Sequence, residues 1–180
     1  LHYVIPYVAM LFRSFAVQIT LAVMSLSITY RLTGTGWATC SLNDGNSSCE
    51  LNASYLSDAL RSLVLSATAV LSGFMRVSFR FDEEPGEYRW VISSPRLNEL
   101  ELEILAFEEL WGDRPDSEGK SLFKTRCLPE TFAKAVAGAA QSILEEHGEA
   151  GYLERWLEHP FPIAQFKELN RLLKEQERDG

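Results

Sequence analysis

Apolar residues fill alternate positions in three stretches between Met75 and Phe107. Met75, Val77, Phe79 and Phe81 are separated by Arg76, Ser78 and Arg80. Tyr88, Trp90 and Ile92 continue the pattern, and Leu100, Leu102, Ile104 and Ala106 interleave with Glu99, Glu101 and Glu103. A period of two predicts a three-stranded meander with one buried and one wet face. Its turns are expected at Asp82–Gly86 and at Ser93–Arg96.

Upstream, Leu26, Ile28, Tyr30 and Leu32 alternate with polar residues and predict another strand. Gly34-Thr35-Gly36 is the hairpin loop that sets Leu32 opposite Ala38 and Tyr30 opposite Cys40. Asn43-Asp44-Gly45-Asn46 signals a second hairpin. With Asp44 and Gly45 as a two-residue loop, Leu42 faces Ser47, Cys40 faces Cys49 and Ala38 faces Leu51. A seventh strand places Phe123, Thr125 and Cys127 inward.

The period then changes to that of a helix. Leu56, Leu60, Leu63, Val64, Ala67 and Leu71 form a stripe over Ser54–Ser72, with Ser54 as N-cap and Gly73 at the end. Pro129 opens a second helix that Gly148 closes. A short helix carries Tyr152, Leu153 and Trp156, and His159-Pro160-Phe161-Pro162 breaks it. Ile163, Phe166, Leu169, Leu172 and Leu173 form a last helix before a charged tail expected to fray. The sum is a two-layer α+β domain over residues 24–180. It has about seven antiparallel strands in one sheet, three to four helices on one face, and the order βββαββββααα.

Charge changes the picture. Of a formal net charge of −8, the stretch Asp82–Glu118 carries twelve carboxylates against Arg89, Arg96 and Arg114. Such a surface repels a phosphate backbone, so nucleic acid is not an expected partner. Residues 1–23 hold one formally charged residue, Arg13. They are read as a leader outside the fold: a non-native start before Met24, or a signal or membrane anchor.

Ser54–Leu60, Glu84–Trp90, Gly151-Tyr152 with Arg155-Trp156, and Phe161-Pro162 together resemble a group of uncharacterised bacterial single-domain proteins. The likeness runs over roughly residues 36–173. It implies a bacterial, cytoplasmic domain, assigns no activity and transfers no site residues.

No phosphate-binding glycine loop, nucleophile elbow or zincin histidine pair occurs in the chain, and no metal or cofactor is expected. His147 is read as capping a helix end, and His159 as ordering the Pro-Phe-Pro turn. The Glu99, Glu101 and Glu103 row is read as an ion-pair ladder with Arg76, Arg80, Arg89, Lys124 and Arg126 rather than a cation site. Cys40 and Cys49 can bridge if the chain is exported, and are otherwise core thiols like Cys127.

Two candidate sites remain. Glu83, Glu84, Glu108, Glu109, Trp111 and Asp113 form an acidic edge with an aromatic anchor, suited to a basic protein partner. An immunity- or antitoxin-like role against a basic toxin domain is the concrete form of that reading. The alternative is a small-molecule or enzyme pocket between sheet and helices at Tyr152, Trp156 and His159. A third reading, a membrane-tethered domain, depends on residues 1–23.

Overall fold

The structure, a computed structural model, describes residues 25–179, so the predicted leader lies outside the described residues. The elements are β1 (Ser27–Gly34), β2 (Trp37–Asn43), β3 (Ser48–Ser54), α1 (Ala59–Leu71), β4 (Arg76–Asp82), β5 (Glu87–Arg96), β6 (Glu99–Phe107), β7 (Lys120–Cys127), α2 (Pro129–Trp156) and α3 (Ile163–Asp179). The fold is α+β with antiparallel strands, but the strands do not form one sheet. β1-β2-β3 make a three-stranded sheet and β4-β5-β6-β7 a four-stranded one. Side chains, rather than a ladder, tie them at β3 and β4: Asn52 Nδ2 donates to Glu83 Oε1 at 3.3 Å, and the Asp82 amide donates to Ser57 Oγ at 3.0 Å.

Alternation governs the inner faces as expected except at Met75, which precedes β4 and is 64% exposed. Trp90, Leu100, Leu102 and Ile104 are buried in the four-stranded sheet, and Tyr30, Ala38, Cys40 and Leu51 in the other. One hydrophobic cluster joins both sheets and all three helices. A fully buried side chain of this size contributes about 1.5–3 kcal/mol. α2 packs on β1, and α1 packs on β4, α2 and α3.

The first hairpin pairs Tyr30 with Cys40 and Leu32 with Ala38 as expected, but Gly34 belongs to β1 and faces Trp37 across a bulge, so that Thr35-Gly36 alone is the loop. The second does not. Leu42 faces Cys49, Cys40 faces Leu51 and Ala38 faces Ala53. Asp44 Oδ1 accepts the amides of Asn46 and Ser47 at 2.9 and 2.8 Å, and Asn43 Oδ1 accepts that of Gly45 at 2.7 Å. These side-chain bonds hold residues 44–47 as a four-residue loop and move the register by two, which keeps every side chain on its face. Cys40 and Cys49 therefore do not sit opposite one another, and all three cysteines are free.

Four boundaries also differ. Ser54 ends β3 instead of capping a helix, because the strand continues beside Trp37 and the Tyr55 amide bonds Gly36 O. Asp58 takes the N-cap position of α1. β5 runs on through Ser93–Arg96, so its turn falls at Leu97-Asn98, with Asn98 at φ 58°. Gly148, at φ 63° and ψ 176°, breaks α2 internally, separating the predicted second and short helices without a loop between them. The charged tail stays helical to Asp179, where Arg171 bonds Glu168 and Glu175 along α3.

Candidate functional site

One end of the four-stranded sheet gathers the whole predicted acidic edge. Glu83–Gly86 joins β4 to β5, and residues 108–119 join β6 to β7. The two segments are bonded together, the Leu110 amide donating to Pro85 O at 2.9 Å. Gly86 permits that approach, since a Cβ there would stand 2.3 Å from Phe107 O.

From this junction the longer segment folds back over the outer face of the sheet, the face that alternation makes wet. It buries Leu105 and Phe107 there, and with them Asp82 and Glu87, which are 2% and 3% exposed. These carboxylates are cross-strand partners, and Arg80 and Arg89 lie beside them as the next pair. Arg89 Nη2 donates to Glu87 Oε1 at 2.9 Å, while its Nη1 donates to Asp116 Oδ1 at 3.0 Å and to Arg114 O at 2.6 Å. The Arg89 guanidinium also lies 4.2 Å over the Phe107 ring. Burial lowers the pKa of Arg89, but the Asp116 and Glu87 carboxylates outweigh that and raise it. Arg80 Nε lies 2.9 Å from Asp82 Oδ1, off the axis of a hydrogen bond.

Trp111 stands at the edge of this network. It is 61% exposed, its backbone is at φ 56°, and its indole N–H donates to Asp82 Oδ2 at 3.3 Å. A positive φ is uncommon for a bulky residue and is sustained only by its surroundings. Beside it opens a groove of about 640 Å³ lined by Phe79, Arg80, Glu87, Arg89, Asp113 and Asp116, among others. Glu84, Glu108, Glu109 and Asp113 are exposed in the same two loops, and Glu83 is half-buried. Glu109 pairs with Arg114 at 3.2 Å.

The expected ladder forms only in part. Glu103 pairs with Lys124 at 3.2 Å and Glu99 with Arg126 at 3.4 Å, and Glu101 also meets Arg126. Arg76, Arg80 and Arg89 turn instead to Asp116, Asp82 and Glu87.

The residues of the alternative pocket also come together. Tyr152 stacks on Trp156 at 6.3 Å, and both are fully buried. Trp156 meets the edge of Tyr30 at 6.3 Å. His159 Nε2 lies 3.1 Å from Tyr55 O and its Nδ1 lies 3.9 Å from Asp58 Oδ2. If Nε2 donates to that carbonyl, Nδ1 is left on the side of the Asp58 carboxylate, beyond hydrogen-bond distance. Burial pushes the Asp58 carboxyl up, opposed by His159 and Arg61. Burial first, and then Asp58, raise the Tyr152 phenol; burial, Tyr152, Cys40 and Asp58 raise that of Tyr30.

Tyr30 OH, Ser54 Oγ, Asp58 Oδ1, Tyr152 OH and Trp156 Nε1 are all buried with no hydrogen-bond partner among the described residues. Asp58 and Tyr30 were not legible as members of this cluster, because their positions in the chain carry no spacing that links them to residues 152–159. His147, just before the break at Gly148, has its Nε2 buried without a hydrogen bond among the described residues, 3.5 Å from Glu146 Oε1.

Fold and site together define the class only as an α+β domain of two antiparallel sheets, with an acidic, tryptophan-bearing end. Comparison with protein-family models, with functionally described proteins and with solved structures found no match to this chain. Among the described residues no His, Cys, Asp or Glu group of three or more is placed to hold a metal ion, and no helix is long and apolar enough to cross a membrane.

Proposed function

We propose that this is a non-catalytic bacterial domain that binds a basic protein through the end of the sheet carrying Trp111. The observation that carries the reading is an exposed indole tethered to the buried Asp82 carboxylate, in a pair of bonded loops that also expose Glu84, Glu108, Glu109 and Asp113. Aromatic anchors supply much of the energy of an interface, and surrounding carboxylates speed the encounter with a cationic partner. A toxin domain with a cationic active site is the partner such a surface suits, which makes an immunity- or antitoxin-like role its concrete form. The three free thiols suit a reducing cytoplasm.

The test is affinity capture from a native lysate at low and high salt, followed by binding measurements with the recovered partner. Binding should weaken by about tenfold or more as salt rises. Trp111→Ala should weaken it by roughly 30-fold, the effect of an interfacial hot spot. Salt-indifferent binding, or full affinity in Trp111→Ala, refutes the proposal.

A second reading rests on the unpartnered buried polar atoms around Asp58. Each such group costs about 1–3 kcal/mol, so a small polar ligand that satisfied several would be held firmly. A metabolite raising the melting temperature by several degrees would favour this reading. An Asp58→Asn variant that loses the shift would locate the site.

A further inference from the structure

The end of the molecule opposite Trp111 has a different character. Phe74, Met75 and Leu97 are 61%, 64% and 92% exposed. Two separate turns present them. α1 closes with the Gly73 amide bonded to Val70 O and the Phe74 amide to Ala69 O, with Gly73 at φ 85°. In this motif the residue after the glycine commonly packs back on the helix, yet here Phe74 is left in solvent. Leu97 occupies the tip of the β5–β6 hairpin, across a groove of about 600 Å³ whose walls include Val70, Met75, Pro95, Leu97, Leu128 and Pro129. Large apolar side chains clustered at one end, rather than scattered, mark an interaction surface.

The chain enters the fold at this same end. Ser25 Oγ donates to Asp44 O at 3.0 Å. Asp44 shares a surface depression with Lys124, Thr125 and Arg126, and Arg126 shares the next one with Arg96, Leu97 and Leu128. Residues 1–24, which lead into Ser25, contain one formally charged side chain, Arg13. An apolar segment thus joins the domain beside its apolar end, while the acidic end points the other way.

We infer that the Phe74, Met75 and Leu97 end rests on a lipid bilayer, with these side chains entering the interface and the acidic end held away from it. Apolar insertion drives the contact. Arg96 and Arg126 are already paired with Glu99, at 3.6 and 3.4 Å, and the chain's net charge of −8 gives no attraction to anionic lipid. The occupant is therefore the apolar part of a membrane surface and not a polyanionic headgroup. This inference stands apart from the binding of a basic partner, because it predicts an association that salt leaves unchanged.

The test uses the full chain with Cys49→Ser, leaving Cys40 and Cys127 buried. Leu97→Cys, and separately Glu84→Cys, carry a polarity-sensitive fluorophore, and dioleoylphosphatidylcholine vesicles are added. The label at position 97 should shift to the blue and be quenched by lipids carrying a quencher in the acyl chain, while the label at 84 stays in water. In vesicle flotation, Phe74→Glu/Met75→Glu/Leu97→Glu should lower the partition coefficient by about tenfold or more, with an unchanged circular dichroism spectrum. Failure to float, flotation with position 97 still in water, or a triple variant that partitions like the parent overturns the inference. A blue-shifted label at 97 before vesicles are added, concentration-dependent or not, also overturns it, because a second copy or residues 1–24 would then cover this face.

Discussion

Glu87→Ala removes a carboxylate that is 3% exposed on a sheet face the alternation makes wet. Its nearest cation, Arg89, has 17% of its side chain exposed and keeps Asp116 at 3.0 Å and Arg114 O at 2.6 Å after the change. Arg80, 3.8 Å from Glu87, is 46% exposed and can turn to water. Breaking a buried pair by removing one partner costs about 3–5 kcal/mol when the other charge is stranded. Arg89 is only partly stranded, so the expected loss is about 2–3 kcal/mol, a large part of the roughly 5–15 kcal/mol that holds a domain folded. For a chain of this length the melting temperature should fall by about 4–12 °C. Urea denaturation gives the free energy, provided the slope is unchanged. Arg89→Ala and the double variant complete a cycle in which the pair should couple by about 1–2 kcal/mol. Glu101→Ala, from an ion pair 25% and 58% exposed, serves as reference and should cost at most about 1 kcal/mol. If Glu87→Ala costs no more than Glu101→Ala, or the cycle is additive, the buried network does not hold the loop.

Other outcomes follow from the same geometry. Gly86→Ala forces a Cβ to within 2.3 Å of Phe107 O. Since neither backbone can yield cheaply, it should destabilise by about 1–3 kcal/mol and make residues 108–119 the first site of proteolysis. Burial raises the Asp58 carboxyl against His159 and Arg61. The stability this gives is present below the unfolded carboxylate pKa of about 3.9 and is lost as pH rises through the folded value. Asp58→Asn should therefore gain on the parent as pH climbs from about 4 to 7, which urea titrations at each pH will read. Among the thiols, Cys40 and Cys127 are buried, and burial pushes Cys127 up to about 12. Half-buried Cys49 should be alkylated first at pH 8, as mass spectrometry of partly reacted protein will show.

Alternation made the inner faces legible. Trp90, Leu102, Ile104 and Phe123 lie where a period of two puts them, and the Gly-Thr-Gly stretch fixed the register of Tyr30 against Cys40. The Asp44 loop defeated the same reasoning, because its side chain competes for the amides that a two-residue turn would leave free. The division into two sheets was hidden for another reason: a strand's own pattern says which face is buried but not which neighbour it pairs with. The acidic residues were legible as a group because sequence already places them in two loops. That Asp82 and Glu87 are buried was not, since it depends on residues 108–119 folding over a polar face. The Asp58 cluster assembles from β1, the start of α1 and the end of α2, and local pattern carries no trace of such a meeting.

That covering loop also bears on kinetics. A segment pinned by the Leu110–Pro85 bond, the Arg89 contacts and the tether on Trp111 presents its aromatic ring already in place. For the basic partner proposed above, association would demand little ordering of this surface, and docking would approximate the meeting of two rigid bodies. Loosening the loop by mutation would show itself chiefly as shorter complex lifetimes, with the electrostatic approach rate left intact.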